Sequence, residues 1–395
     1  MASRRSSKRK SPTRKRSTVK KRAKAARTKS ANSKRGSAKA AGKKSPTRST
    51  RKQKPKAKSR SAAPRKATPT PNPKPTPKPI GRKPAFNPKT DSANDPSWVA
   101  PDWDDDVLLG AHVSIAGGTH EAPRRAKAIG ATAMQIFTKM ANRWAERACE
   151  GDECSAFRAA LDATRVRETV AHDSYLINLA SPDETLRRRS IESFVAELAR
   201  CESLGITYLV SHPGNYIDDR ASGIRRNADA IAEALARVPG RTILCTEITS
   251  GSGTAIGSSF EDLATLIDAV PQPMRSRMGV CVDTCHAYSA GYDLVNAYDD
   301  VWRRFADVLG LERLKVLHLN DSKTPFNSKR DRHELIGEGS LGERAFRQIM
   351  NDERLARVAK VIETPKGTDP TATDARMLAR LRGYVLAGWP ESSVK

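Results

Sequence analysis

Eight short runs rich in apolar and β-branched residues recur from residue 106 onward, separated by longer segments with helical periodicity. In chain order they read VLLGAHV, TAMQIF, ETVAH, TYLVSH, TILCTE, MGVCVD, LKVLHL and AKVIE. Nearly continuous apolar character is typical of strands covered on both faces, and strands that alternate with helices form parallel βαβ units. Eight units in about 300 residues, with no G-x-G-x-x-G after the first run, predict a (β/α)₈ TIM barrel rather than an open doubly wound sheet.

The segment from residue 181 to 205 predicts the clearest helix. Ser181 is the expected N-cap, with Pro182 at the first helical position and Glu184 completing a capping box. Gly205 follows the last periodic residue and is the expected terminator.

Charge divides the chain into two parts. Residues 1–90 hold 33 Lys and Arg and no Asp or Glu, whereas the remainder holds 38 basic and 44 acidic residues. Residues 1–60 have too few apolar side chains to offset the entropy of ordering, and the alternating prolines of residues 67–79 favour an extended spacer. We therefore predict a disordered, basic Lys/Arg/Ser/Pro-rich tail and linker over 1–95, followed by a barrel domain over 96–395.

Two compatible functions are predicted for the tail. A polycation binds DNA phosphates without sequence preference through counterion release. The clusters KRKSPTRKR and KKRAK are typical of nuclear-import signals, so the nucleus is the expected location. An inert solubilising arm and a mitochondrial transit peptide are the alternatives, but residues 1–35 lack the amphipathic apolar face that a transit peptide needs.

Other features indicate an intracellular, soluble protein with no membrane partner, and a monomer is expected because nothing in the sequence suggests an obligate dimer. The six cysteines form no C-x-x-C pair and are too sparse for a disulfide scaffold, which indicates a reducing compartment. No apolar run approaches the roughly 20 residues that a membrane span needs, and the N-terminus lacks the apolar core of a secretory signal.

Metal-capable side chains stand at the ends of the predicted strands. They are His172, His212, Glu247, Asp283, His318 and Glu363. In a parallel barrel all these strand ends open on one face, and imidazoles with carboxylates are ligands that borderline divalent metals prefer. The loops add His286, Asp331 and His333. Nine candidate ligands exceed the coordination of one ion, so two or three ions are predicted.

Ordinary structural roles compete with each of these assignments. A histidine at a strand end is commonly a hydrogen-bonded core residue, and Asp283 alone would be an N-cap. His120 is out of phase with the repeat and is predicted to lie on a surface helix. His112 ends the first strand but is left open, because enough ligands exist without it. Cys281 and Cys285 flank the site, and neither is expected to bind metal.

Clustered divalent ions and a DNA-seeking tail together indicate a phosphodiesterase that acts on nucleic acid, because such ions neutralise charge on the attacking and leaving oxygens. From about residue 108 to 366 the chain also resembles endonuclease IV, the zinc-dependent apurinic/apyrimidinic endonucleases of base excision repair. The motifs are GAHVSIAGG, FTKMANRW, AHDSYLINLASP, SHPGN, CVDTCHAYSAGYDL, HLNDSKTPFNSKRDRHELIGEGSLG and VIETPKG.

The resemblance implies hydrolysis of double-stranded DNA 5′ to an abasic site, leaving a 3′-hydroxyl and a 5′-deoxyribose phosphate, with a second activity as a 3′ repair diesterase. It implies three Zn²⁺ ions. Their ligands would be His172, His212 and Glu247 for the first; Glu247, Asp283, His318 and Glu363 for the second; and His286, Asp331 and His333 for the third. Glu247 would bridge two ions, and Glu247, Asp283 and Glu363 are the catalytic assignments.

The resemblance also implies DNA contacts. Tyr175 would wedge into the duplex beside Leu176, and the loop containing Asn142 and Arg143 would make a second insertion. Asn142 departs from the basic residue that the family usually has there. Two further departures follow Glu247, where Ile248 and Ser252 replace side chains that the family tends to have as amides.

Two other functions are weighed against this one. Xylose-isomerase-like sugar isomerases also place His, Glu and Asp at strand ends, but they do not account for the DRH sequence at 331–333 or for the polybasic tail. A chromatin-compacting protein with a vestigial barrel would not need nine ligands.

Overall fold

All eight predicted strands form in the computed structural model, which describes residues 107–144 and 147–385. They are β1 (Leu109–His112), β2 (Ala133–Phe137), β3 (Glu168–His172), β4 (Tyr208–Ser211), β5 (Ile243–Glu247), β6 (Met278–Asp283), β7 (Leu314–His318) and β10 (Ala359–Ile362). Parallel pairing closes them into a barrel in the order β1-β10-β7-β6-β5-β4-β3-β2. The predicted barrel is confirmed, whereas the predicted tail lies outside the described residues.

Helices follow the strands along the chain. They are α1 (Glu121–Ala128), α2 (Gly151–Asp162), α3 (Glu184–Leu204), α4 (Arg220–Arg237), α5 (Phe260–Ala269), α6 (Thr284–Ala290), α7 (Tyr298–Leu309), α8 (Gly342–Met350) and α9 (Pro370–Arg382). Their inner faces pack on the strands through fully buried side chains such as Phe157, Phe194, Phe260 and Trp302. Full burial of a phenylalanine stabilises a fold by roughly 1.5–3 kcal/mol, so this outer core is the main source of stability. In the described ranges, no helix is long and apolar enough to cross a membrane.

A second, smaller core fills the barrel itself. Its six buried members are Val170, Val210, Cys245, Cys281, Val316 and Val361. Side chains on a strand alternate between its two faces, so the residue two positions later on each strand also points into the barrel, nearer the C-terminal end. Those six residues are His172, His212, Glu247, Asp283, His318 and Glu363. An apolar plug therefore closes the barrel directly beneath the predicted metal ligands.

Helix α3 begins two residues later than predicted. Its N-cap is Asp183, whose carboxylate accepts a hydrogen bond from the Leu186 amide. Ser181 instead accepts from the Asp183 amide and shapes the turn that leads into the helix, because its hydroxyl is too far upstream to reach the first turn. Gly205 ends the helix with φ 79°, as predicted, in the left-handed region that glycine adopts without a steric cost.

An unpredicted hairpin follows β7. Strands β8 (Asp321–Ser322) and β9 (His333–Glu334) pair in antiparallel fashion and bring His333 back to the mouth of the barrel. The buried Asp321 carboxylate accepts hydrogen bonds from four backbone amides and holds the base of this hairpin. The donors are Ser322, Gly339, Leu341 and Gly342.

The cysteines differ from the sequence-based expectation at one place. Cys149 and Cys154, at the start of α2, form a disulfide, whereas the other four cysteines are free and buried. A local pair five residues apart does not match the spacings of a disulfide scaffold or a C-x-x-C motif, which is why the sequence did not indicate it.

Candidate metal centre

The structure brings the nine predicted ligands together at the C-terminal mouth of the barrel. Among the described residues, five groups of three side chains have ligand atoms within 4.8 Å of one another. Three consist of predicted ligands alone: His172 with His212 and Glu247; Asp283 with His318 and Glu363; and Asp283 with His286 and His333. The other two each combine two predicted ligands with a cysteine, Cys281 or Cys285. The exposed Asp331 joins the third set, since its carboxylate oxygens lie 3.2 Å from His286 Nε2 and 3.1 Å from His333 Nε2. These groups overlap with the three ligand sets that the family resemblance implies, although Asp283 also joins His286 and His333.

Glu247, at the end of β5, lies at the centre of the cluster. Its Oε2 is 3.2 Å from His172 Nε2 and 3.5 Å from His212 Nε2, while its Oε1 is 3.1 Å from His318 Nδ1 and 3.3 Å from His286 Nδ1. Burial would raise the pKa of Glu247, but the surrounding histidines hold it well below its ordinary value. An ionised carboxylate whose two oxygens face different histidines is suited to bridge two cations.

Backbone carbonyls orient three of the histidines. Nδ1 of His172, His286 and His333 lies 2.9, 3.0 and 3.3 Å from a carbonyl oxygen. The accepting residues are Asp173, Ile248 and Glu363, respectively. A ring whose Nδ1–H donates in this way presents Nε2 as its other nitrogen, the arrangement common among metal-ligating histidines.

His318 is oriented the opposite way by a side chain. Its Nε2 lies 2.7 Å from Gln135 Oε1, so a proton on Nε2 leaves Nδ1 facing the Glu247 and Glu363 carboxylates. The same glutamine donates from Nε2 to Glu363 Oε1 at 2.6 Å. Gln135 therefore fixes the orientation of two candidate ligands at once.

A cation fits this site because two buried ring nitrogens make no well-directed hydrogen bond. They are Nε2 of His286 and Nε2 of His333, which form close ion pairs with the Asp331 carboxylate at 3.2 and 3.1 Å. An unsatisfied buried polar atom costs about 1–3 kcal/mol, which a bound cation would offset. Imidazole nitrogens with carboxylate oxygens form a typical donor set for zinc.

Metal binding is expected to release protons. Burial would lower the pKa values of His172 and His333, but nearby carboxylates raise them, mainly Glu247 for His172 and Asp283 with Asp331 for His333, to about 10 and about 9. Both rings therefore hold an extra proton at pH 7.5 that a metal must displace, so apparent affinity should fall as the pH falls. Burial lowers the pKa of His212 to about 4, and that ring contributes no proton.

Calorimetric titration of zinc into chelator-stripped protein, in buffers of different ionisation enthalpy, measures this release. The observed heat should depend on the buffer, with more than one proton lost in total. A heat that does not change with the buffer would contradict the expectation.

Sequence reasoning missed two amides that support the ligands. Gln135 and Asn320 are fully buried. Asn320 donates from Nδ2 to Asp283 Oδ2 at 2.6 Å and accepts the Glu363 amide on Oδ1 at 2.8 Å. The available signal was a polar residue in the otherwise apolar strand β2 and another two residues after His318, but single amides are too common in any chain for either to stand out.

The remaining candidates lie around the cluster. His112 is 3.6 Å from Glu363 Oε1 and contacts Gln135, so it borders the centre without entering a ligand set. His120 is the N-cap residue of α1, and its Nε2 lies 3.3 Å from Glu121 Oε1. Cys281 belongs to the apolar plug, and burial raises the pKa of Cys281 well above its ordinary value and that of Cys285 to about 11. Both side chains therefore stay as neutral thiols in the absence of metal.

The predicted DNA-contacting residues lie on two neighbouring loops. Tyr175, after β3, is 74% exposed and packs edge-on against Phe137 with ring centroids 5.2 Å apart. Leu176 beside it is partly exposed. Asn142 and Arg143, after β2, are both exposed.

A buried ion pair joins these two loops. Lys139 Nζ lies 3.1 Å from Glu197 Oε1, and both side chains are only 1% exposed. Lys139 also donates to the Arg143 carbonyl, while Glu197 accepts the Ser174 amide at 3.2 Å. The Ser174 hydroxyl donates to the carbonyl of Ala141. The residues next to Tyr175 and Arg143 are thus held by one polar network.

Comparisons with known proteins agree with the fold. Residues 123–381 match the family described as xylose isomerase-like TIM barrel. The chain is 45% identical to "Probable endonuclease 4" of Chloroflexus aggregans, covering 70% of this chain and 97% of that protein. It is 44% identical to the protein of the same name from Geobacter sulfurreducens, covering 66% and 89%.

Solved structures with the same fold include an endonuclease IV. Endonuclease IV from Thermus thermophilus superposes with a TM-score of 0.63 and 35% identity, covering 70% of this chain and 98% of that one. A 3-keto-D-glucoside 4-epimerase from E. coli has a TM-score of 0.51 at 15% identity over 70% of this chain and 99% of the other, and this likeness concerns the fold alone.

Proposed function

Because the chain belongs to the endonuclease IV family, we propose that it is a DNA repair endonuclease that hydrolyses the phosphodiester 5′ to an abasic site. The products would be a 3′-hydroxyl and a 5′-deoxyribose phosphate, and the same site would serve a 3′ repair diesterase activity. The observation that carries the proposal is the convergence of five histidines and four carboxylates at the open mouth of the barrel, with Glu247 at the centre of the cluster.

Three zinc ions are proposed to occupy the ligand sets that the family resemblance implies. When bound, divalent ions at this site would neutralise charge on the attacking and leaving oxygens of a phosphodiester. Glu247 would be a ligand shared by two of them, and Asn320 and Gln135 would keep Asp283 and Glu363 in place by hydrogen bonds of 2.6 Å each.

The mouth of the centre has room for a displaced nucleotide. A cavity of about 370 Å³ there is lined by Tyr175, His212, Asn215, His286 and Asp331, among others. An enzyme that acts on one nucleotide of a duplex must take it out of the stack, at a cost of a few kcal/mol. We assign the exposed Tyr175 ring to fill the gap that the nucleotide leaves, with Leu176 beside it and Asn142 and Arg143 on the adjoining loop.

Replacing Tyr175 by alanine is expected to weaken binding to an abasic duplex by about tenfold or more, because stacking of an aromatic ring on a base contributes about 1–3 kcal/mol. Tyr175→Phe keeps the ring and should bind within a factor of about two of wild type. Fluorescence anisotropy on a labelled duplex measures both. Equal losses in the two variants would show that the hydroxyl, and not the ring, makes the contact.

The tail is proposed to add non-specific DNA affinity and, through its basic clusters, nuclear import. Phosphate contacts steepen the dependence of binding on salt, by a slope of about 0.9 for each phosphate neutralised. The full chain should therefore lose affinity with salt more steeply than residues 96–395. Equal slopes would contradict a DNA-binding tail, and the import signal is tested separately by localising a fluorescent fusion.

Incision of a 5′-labelled duplex with one tetrahydrofuran abasic analogue tests the function. The zinc-loaded full chain should cut only 5′ to the analogue and leave a 3′-hydroxyl that a polymerase can extend. The chelator-stripped chain should be inactive and recover with zinc. No cleavage by the zinc-loaded protein, or equal cleavage of an undamaged duplex, would overturn the proposal.

A further inference from the structure

Large apolar side chains are exposed on one face of the barrel. Among the described residues these are Met140, Tyr175, Ile217 and Phe326, with exposed fractions of 49%, 74%, 62% and 43%. Each belongs to a loop that follows the C-terminal end of a strand, so all four lie on the face that carries the metal centre. Single exposed apolar residues are ordinary, but their concentration on one face indicates an interaction surface.

Ile217 is presented by an unusually constrained turn. The Asp218 amide donates to the Tyr216 carbonyl at 2.6 Å, which closes a three-residue turn around Ile217. Its φ of 60° lies in the left-handed region, which is a genuine outlier for a β-branched residue. Such conformations persist only where the surroundings over-determine them, and they concentrate at functional sites.

Neighbouring elements hold this turn. Arg226 on α4 donates to both carboxylate oxygens of Asp218, at 2.6 and 3.1 Å, and to the Tyr216 carbonyl at 3.3 Å. Asn215, which precedes the turn, is joined by two hydrogen bonds to Asn178, which lies in the loop after β3. These hydrogen bonds hold the backbone of the turn from which the exposed Ile217 side chain projects.

The turn is close in sequence to residues that line the cavity at the metal centre. Asn215, two residues before Ile217, lines that cavity, and Asn178 is three residues after Tyr175. Two acidic residues follow Ile217, and both carboxylates already have partners within the protein. Asp218 forms an ion pair with Arg226, and Asp219 caps α4 by accepting a hydrogen bond from the Ser222 amide. Exposed cations on the same face, which include Arg143, Arg330 and Arg332, suit a phosphate backbone.

We propose that the turn formed by Tyr216, Ile217 and Asp218 is a further DNA-contacting element, in which Ile217 packs against the sugars and bases of the duplex that flanks the abasic nucleotide. The inference rests on the proposed function and adds a contact to it. Apolar side chains that press into a duplex are an established way to stabilise a bent or unstacked conformation.

Three Ile217 variants test the proposal in the zinc-loaded full chain. Ile217→Asn replaces the apolar side chain by a polar one, and asparagine adopts the left-handed backbone readily. Ile217→Gly removes the side chain altogether and also suits that backbone, whereas Ile217→Leu keeps an apolar side chain. Steady-state incision of the abasic duplex should show KM raised at least about fivefold for the first two, with kcat unchanged, and within about twofold of wild type for the third. Zinc content should be unchanged, and the Tm of the first two should be equal to or above that of wild type.

Duplex length supplies an independent readout. The duplex is shortened on one side of the abasic site at a time. Shortening one of the two sides, the one that Ile217 contacts, should raise the KM of wild type to that of Ile217→Asn. Shortening the other side should leave the difference in KM between the two proteins unchanged. Wild-type cleavage with equal KM for all variants, or a loss of zinc or of Tm in Ile217→Asn, would overturn the inference while leaving the proposed function intact. No cleavage by wild type would instead mean that the proposed function itself fails, and the inference with it.

Discussion

Replacing Glu247 by glutamine is expected to reduce incision at an abasic site by at least about 10³-fold, because loss of an outer partner of a metal ligand alone costs about 10–100-fold. The substitution preserves the size of the side chain but removes the charge that faces His172, His212, His286 and His318. The four imidazoles would then lack their shared carboxylate. Incision rate and zinc content, the latter by elemental analysis, should fall together.

Glu168→Gln is the matched control. Glu168 begins strand β3, at the end of the barrel remote from the centre, and its side chain points inward on the same alternation as Val170 and His172. Its loss should leave zinc content and incision within about twofold of wild type. If Glu247→Gln retained full activity with normal zinc content, the central role assigned to this carboxylate would be wrong.

Lys139→Met is expected to destabilise the fold by about 3–5 kcal/mol, because it leaves a buried carboxylate without its partner. That corresponds to a fall in Tm of roughly 10 °C. In wild type, burial already raises the pKa of Glu197 while Lys139 opposes the rise. In the variant, Glu197 would take up a proton on folding, so stability would be greater at pH 5 and would be lost as the pH rises through its folded pKa.

Two comparisons sharpen this prediction. Replacing both partners, as Lys139→Met with Glu197→Leu, should recover part of the loss, since no buried charge remains. Arg188→Met, which breaks an exposed pair with Glu233, should cost less than about 1 kcal/mol. Thermal unfolding at pH 5 and pH 8 measures all of them, and a cost for Lys139→Met as small as for Arg188→Met would contradict the argument.

The barrel and its cluster were predictable because two periodicities coincide. The eight apolar runs predicted every strand of the barrel, and residues such as His172 and Glu247 fall at strand ends, where a parallel barrel must bring them together. Supporting contacts were not predictable in this way. Lys139 and Glu197 are 58 positions apart on different elements, and no local pattern indicates that they meet.

Errors arose where several local solutions were equally compatible with the sequence. Ser181 and Asp183 are both good helix caps, and only the path of the chain decides that Asp183 reaches the first turn. Asn320 and Gln135 are ordinary amides until the fold places them against ligands. The hairpin of β8 and β9 is too short to leave a periodic signal.

Backbone carbonyls orient His172, His286 and His333, and this affects which substitutions the site can tolerate during evolution. A carbonyl oxygen is present whatever the side chain, so substitutions at the accepting positions preserve the ring orientation as long as the backbone path is kept. Ile248 illustrates this, since its carbonyl serves His286 although its own side chain is fully buried and apolar. Three of the five histidines are thereby buffered against mutation, and His318, which depends on the Gln135 side chain, is the position where neutral drift would first become harmful.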